Sequence, residues 1–492
     1  MREDECIEYL SSLEMKYPVE KWRINGRKVW PLIRFRLLGE LMEEDNRIKA
    51  KSENKFFGRL KYIIQNICSL RYSINCKSPS RADVLVLHDN ASRNIVLKNG
   101  KYYDKDLDPI IDFYETNNYQ CMSLEVICHF NNVRYPFYRV SKCINYDLLK
   151  CRIMSRISCE KALIEMPEYD LFYNELLEKE NVRLDLQGIY ASIKTLNTMC
   201  EYFKDILNTK SIRLVVMQCW YDSVAMAAAM ACYDLEIPCI DIQHGLAGAA
   251  GHRAYCGWAK FDGGHRYEVM PSHFWSWLAA DANVIKNWGC KDVYAEGVGK
   301  TMFLHNLSEC FGSLYANELR DKIKKLEKTC ILVSLQTATF FPKWFVEFIQ
   351  EYSDKFIWII RYHPCKDNIQ LEFAESIKNV KNVYVDNIDT ISLDFLLTFI
   401  DIHITVDSSV VMDAFFCEVP SIMLSEQYFY SVRDIISKNF VCYVNNKEDL
   451  LYNINEMTNK HLSNKNRSNK VLDGETYLLR IINKNTNYRY GR

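Results

Sequence analysis

The sequence holds no C-x-x-C among its nineteen Cys and no excess of either charge, and it has few of the residues that loosen a backbone. It also lacks any apolar run of about eighteen residues, the length a helix needs to cross a bilayer. Each absence removes a class of protein. Without paired thiol spacings neither a zinc module nor a thioredoxin-like redox motif is in view, and an odd count fits poorly with a complete disulfide framework. Most of the Cys lie in apolar runs, as Cys219, Cys232 and Cys239 do, and read as small core hydrophobes of a reduced, cytoplasmic protein. The start, M-R-E-D-E-C, lacks the basic-then-apolar order of a secretion signal. A net charge of −1 leaves no global footprint for nucleic acid, so no nucleic-acid partner is expected. With 17 Gly and 11 Pro, long disordered tracts are not expected either.

What the chain does contain is core-forming material, 48% hydrophobic against 25% charged, over 492 residues. That length exceeds what one core usually supports, so at least two domains are expected. Residues 1–80 differ from the rest. Trp22 to Leu38 mixes Arg and Lys with Trp, Phe and Leu, and Lys55 to Lys77 carries no acidic residue. Residues 22–77 therefore read as a basic helical extension able to touch an anionic inner-membrane surface, or else as helices packed on a domain with a solvated basic face.

From Ala82 the pattern turns α/β. A-D-V-L-V-L-H is a buried strand, Asp108 to Asn117 a helix with Asp as its N-cap, and C-M-S-L-E-V-I a further strand. Residues 130–190 are less legible. A clear unit follows: helix Ala191 to Leu207, strand Ile212 to Gln218, helix Ser223 to Leu235, strand Pro238 to Ile242. That order implies a right-handed parallel crossover. A second series begins near residue 330 with C-I-L-V-S-L, I-W-I-I-R-Y, N-V-Y-V, I-H-I-T-V, P-S-I-M-L and F-V-C-Y-V. The expected fold is two Rossmann-like, doubly wound parallel-sheet domains facing a cleft. The expected boundaries are 1–80 for the extension, 81–310 and 311–458 for the two domains, and 459–492 for a tail.

Ligands of open parallel sheets bind beyond the carboxyl ends of the strands, so polar residues just after strands are the candidates. They include His88-Asp89 with Ser92-Arg93, Trp220-Tyr221-Asp222, Gln243-His244-Gly245, Gln336-Thr337, Arg361-Tyr362-His363-Pro364 and Asp407-Ser408-Ser409. The imidazole of His363 can donate to a phosphate oxygen. Ser408 and Ser409, opening a helix, can bind an anion or can simply cap the helix. D-K-D-L-D-P, Asp104 to Pro109, fails as a calcium loop because Pro109 stands where a sharp turn needs Gly, and it reads as a solvated turn capping the next helix. His252, His265 and His273 with Cys256 have no metal-like spacing and read as a loop over the cleft, with Gly263-Gly264 letting it move. No metal site is expected.

Q-H-G, H-P and S-S, in that order and at strand ends, resemble GT-B glycosyltransferases of bacterial capsule and lipopolysaccharide assembly. The pattern is similar to that of capsule Kdo transferases, bacterial sialyl- and polysialyltransferases, and CDP-glycerol glycerophosphotransferases, over roughly residues 80 to 455. The resemblance implies a nucleotide-sugar donor, CMP-linked by preference, whose phosphate is held by His363, Ser408 and Ser409. Arg361 would add counter-charge, and Pro364 would fix the loop. It implies a glycan or lipid-linked glycan acceptor near the Q-H-G element, with His244 as a catalytic candidate; Gln243, Gly245, Ser92 and Arg93 are read as the acceptor-side cleft loops, and Asp222 and Asp89, by their place at strand ends, as catalytic candidates or as caps and structural carboxylates. No metal and no other cofactor is implied. The acidic signature of the sialyltransferases is not matched, nor is the longer motif of the glycerophosphotransferases. A non-hydrolysing nucleotide-sugar epimerase and a non-catalytic scaffold of a polysaccharide-assembly complex are the alternatives.

Overall fold

Parallel pairing follows from the order of the elements, since most strands are followed by a helix long enough to return the chain to the same edge. The computed structural model describes residues 3–43, 55–73, 76, 79–93, 95–96, 100–128, 130, 133–157, 161–245, 247–248, 252–301, 314–363, 367–386, 391–433, 436, 440–464 and 474–484. It divides into two units. The first comprises Met1–Ser92, Asp106–Leu304 and Leu472–Arg492, the second Arg93–Lys105 and His305–Val471.

The first unit contains seven parallel strands: β1 (Val84–Asp89), β2 (Cys121–Val126), β3 (Ser141–Cys143), β4 (Leu214–Met217), β5 (Cys239–Ile242), β6 (His273–Ser276) and β7 (Tyr294–Gly297). They lie side by side in the order β7-β6-β5-β4-β1-β2-β3, which reverses between β1 and β4. Alternate residues of β1 feed two cores. Leu85 and Leu87 pack with Val215, Met217 and the helices Leu186–Thr209 and Ser223–Asp234. Val84 and Val86 pack with the helices Asp108–Thr116 and Gly474–Lys484. The run V-A-M-A-A-A-M-A-C lets one helix bury every residue from Val224 to Cys232. Asp222 caps that helix by accepting from the Val224 amide at 2.7 Å.

The second unit contains six parallel strands: β8 (Cys330–Ser334), β9 (Ile357–Arg361), β10 (Val383–Asp386), β11 (Ile402–Thr405), β12 (Ser421–Met423) and β13 (Val441–Tyr443). Their order is β10-β9-β8-β11-β12-β13, reversing between β8 and β11. Ile331, Val333, Trp358, Ile360, Ile402 and Ile404 form one core with Phe345, Phe348, Leu450 and Ile454. His403, inside β11, is fully buried with its ring nitrogens 2.7 Å from Ser334 Oγ and 2.9 Å from Ser421 Oγ. Burial holds its pKa down to about 3, so it is a neutral architectural imidazole. The expected class, two doubly wound α/β units, is therefore what the chain forms.

Three expectations differ from what is found. Residues 1–80 are not a separate extension, because Cys6, Leu10, Trp22, Trp30, Ile33 and Leu37 lie in the same core as Leu85 and Val215. Trp22 meets Phe172 edge to face at 4.8 Å, and its indole donates to the Pro167 carbonyl at 2.9 Å. Two of the cations between Trp22 and Leu38 are neutralised by partners within the same unit. Arg27 pairs with Asp234 at 2.6 Å, and the fully buried Arg34 pairs with Glu14 at 2.9 Å while lying over the Trp258 ring. Trp22 to Leu38 is thus core rather than a lipid-facing helix.

The expected tail also divides. Lys447–Asn464 belongs to the second unit, whereas Gly474–Lys484 returns to cover a face of the first sheet. In D-K-D-L-D-P, Asp104, Asp106 and Asp108 are all buried, and Leu107 rather than Asp108 occupies the N-cap. These carboxylates are therefore not solvated. Lys105 itself bonds Asp413 at 3.0 Å and lies 3.6 Å from Asp394.

Burial pushes the Glu14 carboxyl up and the Arg34 guanidinium down, and their contact offsets that cost. Arg34→Met, which strands Glu14, is expected to lose about 3–5 kcal/mol in chemical denaturation. A single-variant loss under about 1 kcal/mol, the range of an exposed pair, would contradict the buried pairing.

Candidate functional site

Where strand order reverses in a parallel sheet, the two connections leave in opposite directions and a crevice opens at the carboxyl edge. In the second unit that place lies between β8 and β11. Ser334 is in register with both Arg361 and Thr405, so β9, β8 and β11 end level. With strands about 4.8 Å apart, their outgoing loops start within about 10 Å of one another.

These loops are tied together by side chains. Thr339, after β8, donates to Asp407 Oδ2, after β11, at 2.9 Å. Burial raises the pKa of Asp407, and this bond opposes the rise. Asp367 caps the helix Asn368–Ile377 by accepting from the Gln370 amide at 2.9 Å, and it also accepts from the Ala338 amide at 2.6 Å. Ala338 holds a left-handed φ of 57°, unusual for a residue with a Cβ. His363, two residues beyond the end of β9, is half-buried and its backbone N–H donates to Gln370 Oε1 at 2.9 Å.

The structure brings His363, Ser408 and Ser409 to this one edge. Ser408 is buried; its amide donates to Thr405 Oγ1 at 3.1 Å and its hydroxyl accepts from the Val410 amide at 3.3 Å. Ser408 therefore caps the helix, while Ser409, half-buried, makes no capping bond of its own. The helix Val410–Phe416 has only seven residues, so its dipole contributes less than the reading of S-S as a helix-end anion site assumed. Arg361 is buried and donates to the Ile391 carbonyl at 2.8 Å, which makes it a loop support rather than an open counter-charge. Pro364 lies outside the described residues.

In the first unit the reversal lies between β1 and β4. Ser92 Oγ, after β1, donates to Gln218 Oε1, after β4, at 3.1 Å. Asp89 ends β1 and accepts from the Ala91 amide at 2.9 Å. Burial raises its pKa, and the nearby charge of Asp222 adds to the rise. Beyond β4, Cys219 holds a left-handed φ of 52° in a turn closed by Asp222 N–H on its carbonyl at 2.7 Å. Non-glycine strain of this kind concentrates where backbone geometry serves a site. Cys219 Sγ lies 3.1 Å from His244 Nε2. One strand over, buried Asp241 accepts from Tyr255 O–H at 2.8 Å and from the Trp220 amide at 3.1 Å, and burial pushes its pKa up to about 7.

Other named residues sit differently from expectation. Gln243 is buried with its amide fully engaged: Nε2 donates to the Gly245 carbonyl at 2.9 Å and to Asp281 at 3.2 Å, and Oε1 accepts from the Trp277 amide at 2.7 Å. It locks the end of β5 to the chain leaving β6. A Cβ on Gly245 would meet nothing within 4 Å, so the chain's own packing does not require glycine there. Arg93 is fully buried in the second unit and donates to the Tyr102 carbonyl at 3.4 Å, whereas Ser92 is in the first. Gly263 and Gly264 take left-handed φ values of 63° and 78° within a short turn held by Lys291, so backbone geometry accounts for them. His252 is packed against Tyr221 and held down to about 4 by burial, His265 is exposed, and His273 lies in β6. Among the described residues, Cys200, Glu201 and Asp234 form a cluster with metal-like proximity, but Arg27 and Lys204 already engage Asp234.

A cavity of about 580 Å³ lies beside the β4 turn. Tyr221 and Ser223, which flank Asp222, share its lining with Phe35 and Met226 and with the cations Arg156 and Lys194. That volume and its mixture of apolar walls with a few charges suit a small-molecule moiety. Sequence reading missed Thr339, Asp367, Cys219 and Asp241. Only Thr339 carried a signal, following the flagged Gln336-Thr337.

No protein-family model matches the chain, and no curated protein does. Solved structures with a similar backbone include the UDP-GlcNAc 2-epimerase of Methanocaldococcus jannaschii, with a TM-score of 0.49 at 15% identity over 82% of this chain and 99% of that one. The Neisseria meningitidis UDP-GlcNAc 2-epimerase bound to UDP-GlcNAc gives 0.48 at 12% identity over 82% and 100%. The wall teichoic acid polymerase TagF gives 0.44 at 10% identity over 89% and 99%. At these scores the likenesses carry no argument about substrate or chemistry.

Burial pushes the Cys219 thiol up to about 12, so it stays protonated beside His244 at neutral pH. Alkylation of the native protein at pH 8 should label the exposed Cys68 and spare Cys219. Rapid labelling of Cys219 in peptide mass spectra would show instead an accessible thiolate.

Proposed function

We propose that the protein transfers a sugar from a nucleotide-activated donor, CMP-linked by preference, to a glycan or lipid-linked glycan of a bacterial surface polysaccharide, without a metal. The observation that carries this reading is the level end of β9, β8 and β11, with His363, Ser408 and Ser409 leaving at the reversal of strand order. Donors at that edge can neutralise a departing phosphate. The acceptor hydroxyl oxygen bonds to the anomeric carbon, the bond from that carbon to the phosphate oxygen breaks with its electron pair going to the nucleotide, and the hydroxyl proton passes to a base. Asp89 is the favoured base, because its raised pKa brings it nearer neutrality, while Asp222 is occupied as a helix cap. His244 beside Cys219 is the other candidate. The cavity lined by Arg156 and Lys194 supports an acceptor with an apolar portion and an anionic group. Cytoplasmic location and a place in capsule or lipopolysaccharide assembly belong to the same reading. No helix among the described residues is long and apolar enough to cross a membrane.

Thermal shift with CMP, CDP, UDP, GDP and their sugars tests donor binding. Free ligand at a hundredfold excess over Kd adds about 2.7 kcal/mol of stability, a shift of several degrees. His363→Ala should abolish both the shift and transfer while leaving the unliganded melt unchanged. Retained turnover in that variant would remove the phosphate role, donor turnover without acceptor would indicate an epimerase, and no shift with any nucleotide would indicate a scaffold. Asp89→Asn should lower kcat about 10²–10⁴-fold. As a base, Asp89 must be deprotonated, so activity should fall as pH drops through its raised pKa. An unchanged acid limb in Asp89→Asn would assign the base elsewhere.

A further inference from the structure

An amphipathic helix on a soluble domain normally turns its apolar stripe to the core. The helix Lys55–Cys68, with the turn Ser69–Ser73 that continues it, does the reverse. Leu60, Ile63, Ile64, Ile67 and Leu70 recur at the i, i+3, i+4, i+7 spacing of one face, and they are 38–51% exposed. The residues turned inward are polar. Asn66 and Ser69 are buried, Asn145 Nδ2 donates to Asn66 Oδ1 at 3.4 Å, and the Cys143 amide donates to Ser73 Oγ at 2.7 Å. The Tyr62 ring rests under Arg152 at 5.5 Å. The anchoring contacts are therefore polar and hold the helix with its apolar face outward.

The charge along this segment has one sign. From Lys55 to Arg81 there are six Lys or Arg and no Asp or Glu. Lys61 is exposed and falls beside the stripe on the helical wheel, and Arg71 is exposed in the turn that continues the helix. Aliphatic side chains flanked by cations fit a bilayer surface, where the aliphatics enter the acyl boundary and the cations meet anionic headgroups. We infer that the helix Lys55–Cys68 is a docking surface for anionic phospholipid membranes, while Trp22 to Leu38 takes no part. This inference stands apart from the sugar-transfer reading, since lipid binding is measured without nucleotide.

The test is co-sedimentation of the full chain with vesicles of phosphatidylcholine containing about a third phosphatidylglycerol, compared with phosphatidylcholine alone. Binding to the anionic vesicles is expected, with a drop of tenfold or more in 0.5 M salt. Ile64→Glu with Ile67→Glu changes exposed side chains only and should cut binding at least tenfold while leaving the melting temperature unchanged. A charge-only role is separated by Lys61→Gln with Arg71→Gln, which should weaken binding to anionic vesicles without affecting fold. No sedimentation with anionic vesicles would overturn the inference. So would a dimer in solution that Ile64→Glu/Ile67→Glu converts to monomer, because a second copy would then cover the face.

Discussion

A parallel sheet whose strand order reverses cannot close its carboxyl edge. The two central strands send their connections to opposite faces, and the backbone groups at their ends must find partners in loops. Both parallel sheets of this protein obey that constraint, at β1/β4 and at β8/β11. Polar side-chain bonds bridge the gap beyond the strand ends, Ser92 to Gln218 in the first and Thr339 to Asp407 in the second. The candidate residues gather where they do because level strand ends, fixed by register, deliver their loops to one place.

Around those edges the protein uses buried polar groups as structure. His403 between two serines, Gln243 between Asp281 and Trp277, and Arg34 on Glu14 are each fully engaged and each far from solvent. Satisfied in this way, such groups rigidify the scaffold, whereas an unpaired buried group would cost it stability. The half-buried groups near the edges include His363 and Ser409 in the second unit and Asp89 and His244 in the first. That difference in burial separates groups able to meet a ligand from groups that hold the loops.

Strands such as I-W-I-I-R-Y and C-I-L-V-S-L were legible in the sequence because a sheet covered on both faces writes itself as continuous apolar runs. Strand ends were legible for the same reason, and with them His363, Ser408 and Asp89. The roles of Gln243 and Arg361 were not, since a polar residue at a strand end looks the same whether its partner is a ligand or another part of the chain, the Asp281 carboxylate for Gln243 and the Ile391 carbonyl for Arg361. Trp22 to Leu38 misled because Arg beside Trp has one composition in a lipid interface and in a core with a buried Glu14. Asp104, Asp106 and Asp108 misled because a run of carboxylates beside Lys and Pro reads as a wet surface turn, whereas here all three are buried.

Hydrogen exchange of the full chain with and without each nucleotide addresses the second unit's edge directly, since slowed amides report where a ligand sits. Protection concentrated in residues 335–339, 362–363 and 406–410, and lost in His363→Ala, is the expected pattern. Protection elsewhere in the chain, or none with any nucleotide, would contradict the assignment of that edge as the phosphate site.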